Sequence, residues 1–433
     1  MPAKRKSRKL SLAEVIALGI GGMVGGGIFA TLGLAIATAG HAVAIALAIG
    51  GILALLTGYS MAYLGLAFRG DGGSFTYIEK AFSHAAIAGM AGWLLIVGYV
   101  GTLALYATTF GAFGQALIFG HGGKPWLTQM LAIFVLLVFL GINLIGAKTS
   151  GRVELIIVGI KLTILVLFAV AGIFTIDASH MLPVFNQGLV APIAASALIF
   201  VAYEGFELIP NAINEMANPR KNLKRALMIS IAVTMAIYIF VGMVAVGNLT
   251  LAQVEHDKEY VLAVAARPVF GATGFALIGF AALLSTASAI NATLFGSARL
   301  AMTMAKQDAL PKIFSWRRRT RPVPYVALIV LSVLTVGFLL LTDLTIIATF
   351  ASATFLVIFA AVNLSAFRLR AKIAIHPIVP FTGLAMAVAS LAVLLWHIRQ
   401  SSPVSLVWIL AVYAAAILLE IALTMWRSMR RRR

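Results

Sequence analysis

From Leu12 to Trp426 the chain is a near-continuous succession of apolar runs, separated by short stretches rich in Gly, Pro and charge. A helical run of about 20 apolar residues matches a bilayer core of about 30 Å. In lipid every backbone N–H and C=O must find its partner inside the structure, so only helices or a closed barrel can cross. A barrel would show short segments of alternating polarity, whereas these runs are continuous. The chain therefore reads as an all-α polytopic membrane protein. Of its 433 residues 61% are hydrophobic and 11% charged, where soluble domains carry about a quarter charged. The first run has no small-residue cleavage site and further spans follow at once, so it is not read as a signal peptide.

Twelve spans are expected, at about 11–38, 41–66, 84–118, 126–146, 153–176, 191–214, 223–247, 271–304, 323–342, 345–367, 376–398 and 404–426. Breakers such as Gly70-Asp71-Gly72-Gly73, Asn218-Pro219 and Arg321-Pro322-Val323-Pro324 separate them. Of 33 Lys and Arg, 27 fall in segments on the side of the N-terminus and four on the other (Lys124, Lys258, Arg267, Arg399), with Lys161 and Arg299 inside spans. This asymmetry places both termini in the cytoplasm, including the basic tails 1–10 and 427–433. The net charge of +19 is then topology, helped by anionic membrane lipid, and no nucleic-acid partner is expected. With no cysteine, disulfides, thiolate metal sites and cysteine nucleophiles are excluded. The seven histidines are scattered and make no ligand pair at helical spacing, so neither a metal nor a cofactor is expected. No nucleophile–base constellation or filter-like constriction supports an enzyme or a channel. Residues 67–83 read as an interfacial helix and 248–270 as an external loop with a short surface helix. No soluble domain is left over, so function has to reside in the bundle.

The first run is interrupted by Gly21-Gly22-Met23-Val24-Gly25-Gly26-Gly27-Ile28-Phe29. Each Gly inside a helix costs about 1 kcal/mol relative to Ala, so five in nine residues argue against a continuous helix. Two readings fit: a glycine face for close helix packing, or an unwound segment lining a cavity. The sixth run carries a second interruption, Val201-Ala202-Tyr203-Glu204-Gly205-Phe206-Glu207, with Pro210 beyond it. A carboxylate at mid-bilayer costs at least about 2.5–3.5 kcal/mol and normally faces a cavity. The two interruptions lie about 180 residues apart, each at the start of five spans. Interrupted helices at corresponding positions of two halves point to an inverted-repeat secondary transporter. Five is odd, so the second half starts from the opposite side. The halves are 11–176 and 191–367, with 376–426 as two peripheral helices.

These residues resemble the amino acid–polyamine–organocation (APC) superfamily. Residues 21–29 resemble its glycine-rich helix-1 signature and Ala202 to Glu207 its helix-6 break. Glu215 to Ala226 resembles the loop after helix 6, and Ser285 to Leu310 the helix-8 signature. The resemblance covers nearly the whole chain. It implies a core of ten helices in a 5+5 inverted repeat, with helices 1 and 6 broken, and amino-acid transport across the cytoplasmic membrane by alternating access.

An amino acid presents a carboxylate and an ammonium a few ångströms apart. A half-helix starting near Gly27 offers unpaired N–H groups and a positive dipole end to the carboxylate. Half-helices ending near Met23 and Val201 offer carbonyls to the ammonium. By resemblance, Gly25, Gly26, Gly27 and Ile28 hold the carboxylate, and the carbonyls of Met23, Val201, Ala202 and Glu204 hold the ammonium. Relatives often have a bulky aromatic at the position of Val201 as a cover; here the nearest candidates are Phe200 and Tyr203. Three roles are open to Glu204: drawing a cationic side chain, proton coupling, or pairing inside the bundle. Glu207 matches an acidic position of the family, for proton handling or for pinning the broken helix.

Lys161 lies nine residues into span 5, roughly 14 Å deep at about 1.5 Å per residue, too far in for easy snorkelling. In related sodium-coupled transporters a cation sits between helices 1 and 8, and in some proton-coupled members a helix-5 lysine places its ammonium there. Lys161 resembles that lysine. It would reach carbonyls near Gly22 and hydroxyls near Ser285, Thr286 or Ser288. The other reading is a permanently charged structural lysine. The expected function is proton symport of an amino acid, with the proton gradient as driving force; an amino acid or polyamine exchanger of the same fold is the alternative. The sequence leaves substrate identity and oligomeric state open.

Overall fold

The computed structural model describes residues 9–70, 72–82, 84–120, 124–146, 151–317 and 323–431. Most of the N-terminal basic tail, Asp71, His121, Arg321 and Pro322 lie outside them. The described residues form helices joined by turns and short irregular stretches, with one isolated bridge between Leu10 and Met216. Among them, nine helices are long and apolar enough to cross a membrane, or ten when one bent pair counts as a span. The expected twelve are not all resolved by length and apolarity. The stretch Gly27–Ala67 runs on for 41 residues through a turn, while Leu12–Met23 and Tyr325–Leu341 are shorter apolar helices.

Span 1 is divided into α1 (Leu12–Met23) and α2 (Gly27–Ala39). Ser11 and Glu14 close a reciprocal capping box at the start of α1, Ser11 N donating to Glu14 Oε2 at 2.8 Å and Glu14 N to Ser11 Oγ at 3.3 Å. A turn at Gly40, with φ of +58°, leads into α3 (Val43–Ala67). Then come α4 (Gly73–Ala81), α5 (Ala85–Phe119), α6 (Pro125–Ile145) and α7 (Gly151–Ile173). The second break separates α8 (Ala191–Leu198) from a 3₁₀ segment, Phe200–Glu207, and a single turn, α9 (Leu208–Asn211). The two parts are bent by 44°. After them run α10 (Pro219–Asn248), α11 (Leu251–Asp257), α12 (Val261–Ala265), α13 (Arg267–Lys306), α14 (Tyr325–Leu341) and α15 (Leu344–Arg368). A short turn, α16 (Arg370–Ile373), precedes α17 (Ile378–Ser401) and α18 (Pro403–Arg431).

The burial pattern is that of a bundle facing lipid. Large apolar side chains such as Phe134 (62% exposed) and Val333 (65%) point outward, whereas Lys161, Glu204 and Glu207 are buried inside. That inversion suits a solvent more apolar than water and identifies an integral membrane protein. Helices α17 and α18 keep large exposed faces, including Trp396 and Leu418.

Two connections are more buried than expected. Helix α4 does not lie along the surface: its residues Gly73 to Ile78 are all buried. Gly73, at φ of +43°, fits directly against the Asn211 side chain. In the connection 248–270, α11 is the expected short surface helix, with only Val254 and Asp257 buried, and the part after it packs inward. Helix α12 is buried along its whole length, and a Cβ at Gly33 of α2 would collide with the Lys258 backbone. Their aromatic and branched residues gave the sequence no way to tell an interfacial face from a buried one. Asp343, exposed to solvent, caps α15 by accepting from Ile346 N at 2.8 Å.

Candidate functional site

The two breaks meet in the middle of the bundle. A Cβ added at Gly22 would lie 2.8 Å from the Gly205 carbonyl oxygen, and one at Gly205 would run into the Gly22 backbone. Gly27 faces Ala202 in the same way, with its Cβ position 2.5 Å from the Ala202 Cα. Here glycine is needed for close approach of two backbones. The same two segments are tied again further out: Leu10 N donates to Glu215 O at 2.7 Å and Ala217 N to Leu10 O at 2.9 Å. The glycines Gly22, Gly27 and Gly205 thus serve close packing, and between Met23 and Gly27 the helix is interrupted.

A helix end leaves carbonyls unpaired, and at the end of α1 three other helices supply the donors. Lys161 of α7 donates from Nζ to Gly21 O at 3.0 Å. Tyr238 of α10 donates to Met23 O at 2.7 Å and lies 3.1 Å from Ala202 O. Ser285 of α13 hydrogen-bonds Val24 O. In the second break, Ser352 of α15 accepts from Val201 N at 3.1 Å and donates to Leu198 O at 2.6 Å. Side chains thus replace the intrahelical bonds that the breaks give up. Tyr238→Phe removes the donor shared by the breaks. Orphaned buried carbonyls cost about 1–3 kcal/mol, so thermal unfolding in detergent should show a lowered melting temperature.

The start of α2 is open. Its N-cap residue is Gly26, which has no side chain to cap the first N–H groups of the helix. Tyr106 of α5 stands over it: a Cβ on Gly26 would strike the Tyr106 ring. The two aromatics expected as covers each have a packing partner. Phe200 packs edge-on against Phe359, with centroids 5.7 Å apart. Tyr203 donates to Leu47 O at 2.7 Å and stacks 5.2 Å from Tyr238.

One face of α5 serves both breaks, since Tyr99, Thr102 and Tyr106 are three and four residues apart. Thr102 donates to Glu204 Oε2 at 3.0 Å. Tyr99 donates to Glu207 Oε1, and Ser74 of α4 to Glu207 Oε2 at 3.2 Å. The buried α4 is thereby fastened to the second break.

Ser288, expected near the Lys161 ammonium, turns instead to Glu154 of α7, donating at 2.9 and 2.8 Å to its two oxygens. Lys161 is fully buried. Below it, a cavity of about 330 Å³ reaches Gly21, Gly22, Glu154 and Ser288 from the N-terminal end of α1. Tyr238, Ser352, Tyr106 and Glu154 were missed by sequence reasoning. A tyrosine or serine inside an apolar run has no pattern that separates a backbone donor from filler.

Residues 10–425 match the family described as amino acid permease. An uncharacterised protein of Methanocaldococcus jannaschii is 38% identical over 83% of this chain and 82% of its own length. The inner membrane transport protein YbaT of Escherichia coli is 30% identical over 93% of this chain and 94% of its own. Among solved structures, a manganese transporter of Eremococcus coleocola superposes with a TM-score of 0.63, covering 97% of this chain and 94% of that one at 15% identity, which speaks for the fold alone. With its paired broken helices and its match along nearly the whole length, the chain belongs to the amino acid permeases of the APC superfamily.

Proposed function

We propose that this permease is a proton-coupled amino-acid transporter working by alternating access. The observation that carries the reading is the Lys161 ammonium on Gly21 O, in the last turn of the half-helix whose end faces the second break. A group that can gain and lose a proton there is coupled to the shape of the site by one hydrogen bond. The substrate carboxylate binds the uncapped start of α2 at Gly25 to Ile28. Its ammonium binds carbonyls of Met23, Val201, Ala202 and Glu204, two of which Tyr238 already contacts. A carbonyl oxygen has two lone pairs, so the hydroxyl and an ammonium can share it. Tyr106 acts as the cover in place of Phe200 or Tyr203. Glu204, on the Thr102 side of the site, favours substrates whose side chain carries a donor. Glu207 pins the second break through Tyr99 and Ser74.

In this reading 11–176 and 191–367 are inverted repeats, 376–426 is peripheral, and both termini face the cytoplasm. A thermal-shift screen of the purified protein against L-amino acids and polyamines identifies the substrate, because a ligand at about 100 times its Kd stabilises by about 2.7 kcal/mol. A shift with α-amino acids is expected. A shift with polyamines alone would reverse the substrate assignment. Uptake into proteoliposomes that ignores an imposed inward proton gradient would overturn symport.

A further inference from the structure

We infer that Glu154, held by Ser288, is the carboxylate through which Lys161 exchanges its proton with the cavity on the side of the N-terminus. The inference rests on the proposed proton coupling at Lys161 and adds the route. Lys161 has no exposed surface, so its proton needs an intermediary. Glu154 is seven residues earlier on the same helix, two turns and about 10 Å along the axis, and hence on the same face. Both residues converge on Gly21. Lys161 takes its carbonyl, and a Cβ at Gly21 would lie 2.9 Å from Glu154 Oε1. The glycine leaves the carboxylate room to lie against α1. Glu154 also lines the cavity of about 330 Å³, which Lys161 does not.

The charged groups around that cavity are Glu14 of α1, Glu215 beyond α9 and Arg299 of α13. The third helix packed on α7, α10, contributes no titratable side chain to its wall among the described residues; Tyr238 of α10 is turned to the breaks. In the transfer, an Nζ–H bond of the ammonium breaks and an O–H bond forms on Glu154, directly or across one water. The charged pair becomes a neutral amine and a neutral acid. The acid then loses its proton to cavity water and is a carboxylate again, bonded to Ser288. The Gly21 carbonyl keeps a donor throughout, because a neutral amine still carries N–H.

The test uses full-length protein in proteoliposomes and a radiolabelled mixture of L-amino acids. Two quantities are compared: uptake driven by an inward proton gradient, across external pH, and counterflow, which needs no net proton release. Glu154→Gln still accepts a bond from Ser288 but takes no proton. Its ratio of proton-driven uptake to counterflow should fall roughly tenfold or more, with a flattened pH profile. Glu154→Asp should restore part of the pH dependence. Ser288→Ala keeps the carboxylate and removes its donor, so the pH profile should shift rather than flatten. A Glu154→Gln protein with the wild-type ratio and pH profile, while Lys161→Ala has lost both, overturns the relay and leaves the coupling role of Lys161 standing. Wild-type protein without proton dependence, or Lys161→Ala with full dependence, overturns the parent reading and the relay together.

Discussion

Lys161→Ala should abolish concentrative uptake while leaving downhill exchange. For one proton per substrate, an inward gradient of two pH units holds about 2.7 kcal/mol, enough for roughly 100-fold accumulation. Without an ionisable group on Gly21 O that energy has no way into α1, and accumulation should fall to no more than equilibration. The cost to folding is smaller. Losing the Nζ donor leaves one buried carbonyl unpaired, about 1–3 kcal/mol, against a typical total of about 5–15 kcal/mol. A folded, substrate-stabilised but uncoupled protein is the expected result, measured as uptake with and without the gradient alongside thermal unfolding. Accumulation at the wild-type level would show that Lys161 only holds α1. Lys161→Arg adds a second reading, since a guanidinium can still bond Gly21 O but does not deprotonate. A coupling role predicts that it stalls gradient-driven uptake, whereas a purely structural role predicts that it transports.

The membrane class and both broken helices were legible in the sequence because each rests on an uncompensated cost. Five glycines in nine residues, two carboxylates in an apolar run and a lysine nine residues into a span are expensive unless a structure needs them. The partners of those residues were not legible. Ser285 was expected beside the lysine and is found on Val24 O; Ser288 was expected there too and is found on Glu154. Which hydroxyl meets which carbonyl depends on helix rotation and crossing, and neither leaves a trace in an almost uniformly apolar segment. The same uniformity hid the burial of α4. The ring found against Gly26 left no sequence signal for another reason: Tyr106 comes from α5, far in sequence from the two breaks, whereas adjacency to Val201 pointed to Phe200 and Tyr203.

Gly26→Val should eliminate transport while the protein still folds. The position precedes α2 at φ of −112° and ψ of −11°, outside the left-handed region, so the main effect comes from volume. The first added carbon would overlap the Tyr106 ring and come within 3.1 Å of Thr286 Cγ2. The ring is buried and is not the loose end of a flexible chain. Overpacking of this kind costs typically about 1–3 kcal/mol, which a bundle of this size withstands. The branched side chain also fills the place where a carboxylate would reach the N–H groups of Gly27 and Ile28, and a displaced ligand loses all of those bonds together. The expected result is a monodisperse protein whose melting temperature no longer rises with any amino acid, and whose proteoliposomes take up none. Tyr106→Ala in the same background should relieve the overlap and raise the melting temperature, yet leave binding absent, because valine still occupies the carboxylate position. Binding restored by that second substitution would place the carboxylate elsewhere and make the glycines of span 1 a packing device only.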